Sequence, residues 1–306
     1  MDTRSIYEDF SAEPGPHWHR YVAGTGVLEP TGSTLRFAIA DATSRKVGAT
    51  HPRNQQAQNV TSRAQREYPS YSPYRGIRRS YSDAQVDDYH GLSRRRFLWR
   101  PPLRLTVRAR FSHLAGNGSA GLTTGLRGTA GFGFWNDPFL MTGARMPALP
   151  RAVWFFYGSP PSNMKLDLHT PGHGWKAATI DALRPATLLL APLAPLAVLL
   201  MNLRPLYRAL WPPIQQVLNV REAVVQVDMT GWHTYVLEWG AERACFSVDG
   251  VTVLQDAPSP RGPLGFVMWL DNQYMVVTPW GRLGWGLLDV PERQWMEVDR
   301  LAIEPL

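Results

Sequence analysis

Residues 231–253 constrain the fold of this chain more than any other passage. Gly231-Trp232-His233-Thr234-Tyr235-Val236-Leu237-Glu238-Trp239 alternates apolar and polar side chains with the period of two that a half-buried strand needs. Gly240 to Arg243 supplies a turn, Ala244-Cys245-Phe246-Ser247-Val248 alternates again, and Asp249-Gly250 offers the two residues that tolerate positive φ in a tight hairpin before Val251-Thr252-Val253. Three strands joined by short turns predict an antiparallel meander rather than a helical bundle.

The rest of the chain is consistent with that reading. Twelve Trp, eleven Tyr and eleven Phe, with 26 Gly and 26 Pro, suit many short strands punctuated by turns. At 306 residues one large all-β domain spanning 1–306, with insertions, can bury a sizeable core. Strands are predicted at Trp18 to Val22, Leu35 to Ala40, Ala84 to Tyr89, Leu103 to Phe111, Ala130 to Trp135 and Ala152 to Tyr157. The lone Cys245 excludes an intrachain disulfide framework and a cysteine-based zinc site, and its place on an apolar strand predicts a buried, inert thiol.

The net charge of +7 invites a nucleic-acid reading until its position is considered. Residues 45–79 carry eight cations against the single Glu67, which leaves 24 basic and 24 acidic residues elsewhere. This stretch has no apolar periodicity and is rich in Arg, Gln, Asn, Ser, Tyr and Pro, so it reads as a flexible basic insertion. Its charges and Tyr68, Tyr71 and Tyr74 would suit a nucleic acid or an anionic lipid surface, but a solvated loop is the simpler reading, and nucleic acid is not the expected partner. The first nine residues contain no apolar run after a basic start, which predicts a cytoplasmic location, peripheral to a membrane if the next feature touches one.

That feature is a second insertion at 183–218. Pro185 to Leu203 is uncharged between Arg184 and Arg204 and is nearly long enough to cross a bilayer. A single crossing would separate strands that one sandwich needs together, and Pro192 and Pro195 interrupt the run. Leu203, Leu206, Tyr207, Leu210 and Trp211 fall on one helical face. An amphipathic helical hairpin follows, with four roles open: a membrane contact, a lid over a ligand, an oligomer contact, or simple packing against the sandwich.

The Trp-His-x-Tyr block with its later Val-Asp-Gly resembles the concanavalin A-like lectin and glucanase superfamily, in particular glycoside hydrolase family 16. Tyr81-Ser82-Asp83-Ala84-Gln85-Val86, Phe97-Leu98-Trp99, Leu103 to Arg110, Gly131-Phe132-Gly133-Phe134-Trp135 and the closing Trp295 to Ile303 resemble other strands of that family, in the same order. The resemblance implies an all-β, concanavalin A-like jelly-roll β-sandwich. It also implies a Glu-x-Asp-x-x-Glu strand supplying nucleophile, assisting carboxylate and general acid, since retaining hydrolysis needs two carboxyl groups about 5 Å apart. The equivalent segment here, Ala152-Val153-Trp154-Phe155-Phe156-Tyr157-Gly158-Ser159, has no carboxylate, which argues against hydrolysis by the family mechanism.

In such a fold the concave sheet would form the cleft, where aromatic rings stack on sugars or shelter an apolar ligand. Trp135-Asn136-Asp137 and Trp269-Leu270-Asp271-Asn272-Gln273 are the best polar-aromatic clusters, with Trp154, Phe156 and Trp285 enlarging the wall and Gln85 at its edge. The same residues would serve equally as core anchors and turn formers. If the chain is an enzyme, Asp137, Asp271 and Asp87 are the carboxylates to test, because an apolar cleft raises a carboxyl pKa. No metal site is expected: His17 and His19 lack a visible third ligand, and Pro171 and Gly172 deny His169 and His173 a helical face. No cofactor is expected either, as the glycine-rich Gly125 to Gly133 lacks a phosphate loop's ending. Two functions follow from the sequence. One is a non-hydrolytic jelly roll that binds a glycan, glycolipid or other lipophilic small molecule. The other is a diverged enzyme using the same cleft, as a glycosidase with relocated carboxylates or on a lipophilic substrate.

Overall fold

A computed structural model describes residues 5–12, 14–40, 80–90, 97–116, 125–138 and 148–306; the basic insertion at 45–79 lies outside them. Two antiparallel sheets carry most of the described chain. The first has the order β14 (Val251–Pro258), β13 (Arg243–Val248), β12 (His233–Trp239), β6 (Leu103–Phe111), β18 (Gln294–Pro305), β4 (Leu35–Ile39), β3 (Val27–Pro30), with β1 (Ile6–Glu8) also paired to β18. The second runs β11 (Arg221–Val224), β10 (Gly174–Asp181), β8 (Arg151–Gly158), β7 (Thr129–Trp135), β15 (Gly265–Asp271), β5 (Asp83–Asp87), β2 (His19–Ala23). A small third sheet joins β17 (Leu283–Leu287), β16 (Gln273–Val277) and β9 (Asn163–Met164). Neighbouring strands that lie far apart in sequence, such as β6 beside β18 and β5 beside β15, give the crossed connections of a jelly roll. The all-β jelly-roll β-sandwich expected from the sequence is the fold observed.

Alternation builds the core. On β6, Leu103, Leu105, Val107, Ala109 and Phe111 are buried while the intervening residues are not. The inward rings of one sheet meet those of the other edge to face, Phe132 on Tyr235 at 5.2 Å and Phe155 on Phe246 at 5.3 Å between centroids. Such pairs add about 0.5–1.5 kcal/mol each beyond their burial. The predicted hairpin is formed with Asp249 and Gly250 at φ of 51° and 78°. The Asp249 carboxylate closes it by accepting the Thr234 N–H at 2.8 Å and facing His233 Nδ1 at 2.6 Å. Cys245 is half-buried rather than fully buried, because it lies on the outward face of β13.

The second insertion is helical: α1 (Pro185–Leu190), a 3-10 turn (Ala191–Leu193), α2 (Ala194–Leu200) and α3 (Arg204–Val217). Of its expected apolar face, Tyr207 and Trp211 are buried and Leu206 and Leu210 half-buried, whereas Leu203 points to solvent. Gln215 extends the buried stripe by one turn, donating to Asp167 Oδ2 at 2.6 Å. The stripe packs with Met201, Leu168 and Trp280, so the helices rest on the loops beside the small sheet. Among the described residues no helix is long and apolar enough to cross a membrane.

Candidate functional site

The outer face of the seven-stranded sheet collects most of the sequence-predicted site residues. Register places Trp269 beside Gly131 on β7, and Gly131 in turn beside Phe156 on β8. The glycine is what lets the rings lie across the sheet, since a Cβ there would stand 2.4 Å from the Phe155 carbonyl oxygen and 2.9 Å from the Trp269 ring. Trp154 sits at the centre of the resulting cluster, with ring centroids 5.9 Å from Trp135, 5.4 Å from Phe156 and 5.6 Å from Trp269. Trp135, Phe156 and Trp269 are only 7–8% exposed, while Trp154 is half-buried. Phe97, Met164 and Tyr89 pack on the same cluster, so three rings of the wall are largely covered and Trp154 is the one with a free edge.

The indole N–H groups are used internally. Trp269 donates to Thr129 Oγ1 at 2.9 Å and Trp135 donates to the Tyr89 hydroxyl at 2.7 Å. Trp285 stands on β17 of the small sheet, 45% exposed, and not on the sheet that bears the other rings.

A polar strip runs beside the wall on β2, β5 and β15. His19 pairs with Asp87, Tyr21 with Gln85 and Gln85 with Trp269, and Asp83 lies between Ala23 and Asp271. Asp87 is fully buried and satisfied: Oδ1 accepts the backbone N–H groups of Tyr89 and His90, and Oδ2 accepts from Gln85 Nε2 at 2.9 Å and faces His90 Nδ1 at 2.6 Å and His19 Nδ1 at 3.4 Å. Burial opposes its charge, but the hydrogen bonds from His19, His90 and Gln85 outweigh that and hold its carboxyl well below the usual range.

Asp83 and Asp271 behave oppositely. Asp271 accepts from the Thr129 N–H and hydroxyl and from the Gln273 N–H, yet burial pushes its pKa up to about 6. Burial and then the charge of Asp271 push Asp83 well above the ordinary value; Tyr81 donates to its Oδ2 at 2.8 Å, and its Oδ1 has no hydrogen-bond partner among the described residues. Buried carboxyl groups on neighbouring strands disfavour ionising together, although no hydrogen bond joins these two.

Asn136 and Asn272 are structural clamps. Asn136 accepts from the Arg151 N–H and donates to the Leu149 carbonyl; Asn272 accepts from the Ser82 N–H and donates to the carbonyls of Ser80 and Leu288. Asp137 is completely buried at φ 47°, and burial of Tyr89, then the charges of Asp87 and Asp137, raise the Tyr89 pKa. Gln273 is half-buried at the start of β16.

Sequence reasoning missed Asp83, His90 and the Lys176–Glu222 pair. Asp83 carried no signal beyond its two-residue spacing from Gln85, and only the β5–β15 register brings it to Asp271. His90 and His19 are 71 positions apart in the sequence, yet their rings stack at 4.6 Å over Asp87. The donor atoms of His19, Asp87 and His90 lie within 4.8 Å of one another, a set able to hold a divalent metal ion, where no third ligand was expected. Lys176 and Glu222 form a buried ion pair at 2.9 Å on the same sheet face. Burial raises the Glu222 pKa against the pull of Lys176.

Two cavities flank the helical insertion. One, of about 460 Å³, lies between α3 and the β13–β14 hairpin and includes Gln216 and Arg243. The other, of about 710 Å³, is lined by Tyr207, Trp280, Arg204, Arg208 and Arg282.

No family model matches the sequence, and no curated protein does either. The described fold is similar to solved structures of full-length coverage and low identity. The Bacillus licheniformis beta-glucanase is 10% identical, with 100% of each chain covered and a TM-score of 0.46. LamAcat from Zobellia galactanivorans is 12% identical, with 99% of this chain and 98% of that one covered and a TM-score of 0.47. An uncharacterized protein from Mycobacterium paratuberculosis is 14% identical, with 97% and 99% covered and a TM-score of 0.44.

Proposed function

We propose that the chain is a non-hydrolytic binding protein whose jelly roll takes a glycan, or the sugar of a glycolipid or similar amphiphile, on the outer face of the seven-stranded sheet. The observation that carries this reading is Trp154, a half-buried indole held by three other rings, with the half-buried His19 and Tyr21 on the same sheet face four strands away. A flat apolar ring stacks on the CH face of a pyranose, and polar groups farther along the same face suit the hydroxyls of a longer glycan. The outward positions of β8 are Ala152, Trp154, Phe156 and Gly158, so the strand that resembles the family's catalytic one offers a platform and no acid.

A glycan array probed with the intact chain, followed by calorimetry on the hits, tests the proposal. Trp154→Ala should weaken binding about threefold to tenfold while leaving the fold intact, since the ring is partly free. Unchanged affinity in that variant, or an array without hits, overturns it.

The buried pair Asp83 and Asp271 favours a second reading, a diverged enzyme with relocated carboxylates. A carboxyl near pKa 6 is suited to donate a proton at neutral pH. Under this reading the array hits are cleaved, and Asp271→Asn abolishes cleavage while retaining binding. Intact glycans after prolonged incubation dismiss it.

A further inference from the structure

The helical insertion stands apart from the aromatic wall and poses its own question. All nine leucines from Leu183 to Leu203 are exposed, Leu189 at 80% and Leu199 at 67%. Helices α1 and α2 bury no residue at all. Leu283 on β17, whose turn residue Gly281 abuts Val198 of α2, is 78% exposed as well. Water-exposed leucine on this scale opposes solubility unless something covers it.

Beside the leucines lies the larger cavity. Arg204 and Arg208, one turn apart at the start of α3, line it with Arg282, and among the described residues none of the three guanidinium groups has a carboxylate partner. The surrounding features point the same way. Helix α3 begins with no side-chain cap and no acidic residue in its first turn, leaving free N–H groups of positive polarity. Tyr207 lines the cavity and is nine-tenths buried, with a hydroxyl that has no hydrogen-bond partner among the described residues. Positive charge, unused donors and Trp280 in the same wall suit a phosphate carried on an apolar body.

We propose that this insertion docks the protein on an anionic phospholipid bilayer: the leucines of α1 and α2 enter the acyl boundary, and the cavity lined by Arg204, Arg208 and Arg282 takes a lipid headgroup phosphate. The helices lie in the plane of the interface and do not span it, in keeping with their length. Charge complementarity selects the occupant. A second protein would cover the leucines equally well but gives no reason for three unpaired arginines at their edge.

The test is flotation of the intact chain with vesicles of phosphatidylcholine alone, and of phosphatidylcholine and phosphatidylglycerol in equal parts. Each arginine near an anionic surface is worth about fivefold in binding, so the mixed vesicles should be preferred by about a hundredfold. Arg204→Glu/Arg208→Glu should remove at least about 25-fold of that preference. Leu189→Asn/Leu199→Asn should weaken binding to both vesicle types, and the helices' exposure means that both variants should keep the wild-type melting temperature. Inorganic phosphate provides the second arm. Stabilisation by millimolar phosphate without vesicle binding would mean a free-anion site and overturn the proposal, as would equal flotation with the two vesicle types. A concentration-dependent dimer lost in Leu189→Asn/Leu199→Asn, with no flotation, would also overturn it.

Discussion

Asp83 and Asp271 stand directly opposite each other on neighbouring strands, both almost fully buried, each raising the cost of ionising the pair. Opposed residues of an antiparallel pair have Cβ atoms about 5 Å apart, so the two charges cannot both form cheaply. The pair follows from register alone and sits beside the ring cluster that the binding proposal uses.

This relationship sets a pH dependence. Both folded-state pKa values are raised, so the folded protein holds protons that the unfolded chain has released above the ordinary carboxylate range. Each contribution is fully present below about pH 4 and is lost as pH rises, through about 6 for Asp271 and through its own raised pKa for Asp83. Asp83→Asn should therefore raise the melting temperature at pH 8 and change it little at about pH 4. Melts at the two pH values check this, and an equal shift at both would refute the raised carboxyl pKa.

Asp87 predicts the opposite sign. Its carboxyl is held below the usual range, so its contribution is present above about pH 4 and fades as pH falls through the folded value. Asp87→Ala would strand the His90 and Tyr89 N–H groups and the Gln85 amide, costing about 2–4 kcal/mol by urea titration at pH 7, with the cost shrinking in acid.

Gly131→Ala should damage the ring cluster from beneath. The added methyl would meet the Phe155 carbonyl oxygen and the Trp269 ring, and backbone on a central strand cannot retreat. A loss of about 2 kcal/mol or more is expected, with altered tryptophan fluorescence. A variant as stable as the wild type would show that the wall is looser than described.

The Lys176–Glu222 pair should reward removal of both partners over one. Lys176→Met alone leaves Glu222 buried without its cation and should cost about 3–5 kcal/mol. Lys176→Met/Glu222→Leu should recover most of that loss. Denaturant titrations of the two variants decide it.

Alternating apolar residues, an Asp-Gly turn and aromatic strands bounded by glycine determined from sequence alone that this chain is built of antiparallel strands, while the jelly-roll sandwich was what its family resemblance implied. Period two also put Trp154 and Phe156 on one face of their strand, because side-chain direction along a strand is a local property, whereas their grouping with Trp135 and Trp269 was only implied by the family resemblance. The amphipathic stripe of α3 was legible for the same reason at the helical period. Which strand lies beside which was not, since pairing β5 with β15 or β2 with β5 depends on contacts between residues tens to hundreds of positions apart. Only the tertiary structure could therefore join Asp83 to Asp271, stack His19 on His90 above Asp87, cover three of the four rings and bring Arg282 to Arg204 and Arg208. Polar side chains acquire their chemistry from neighbours across strands, and those neighbours exist only once the sheets have closed.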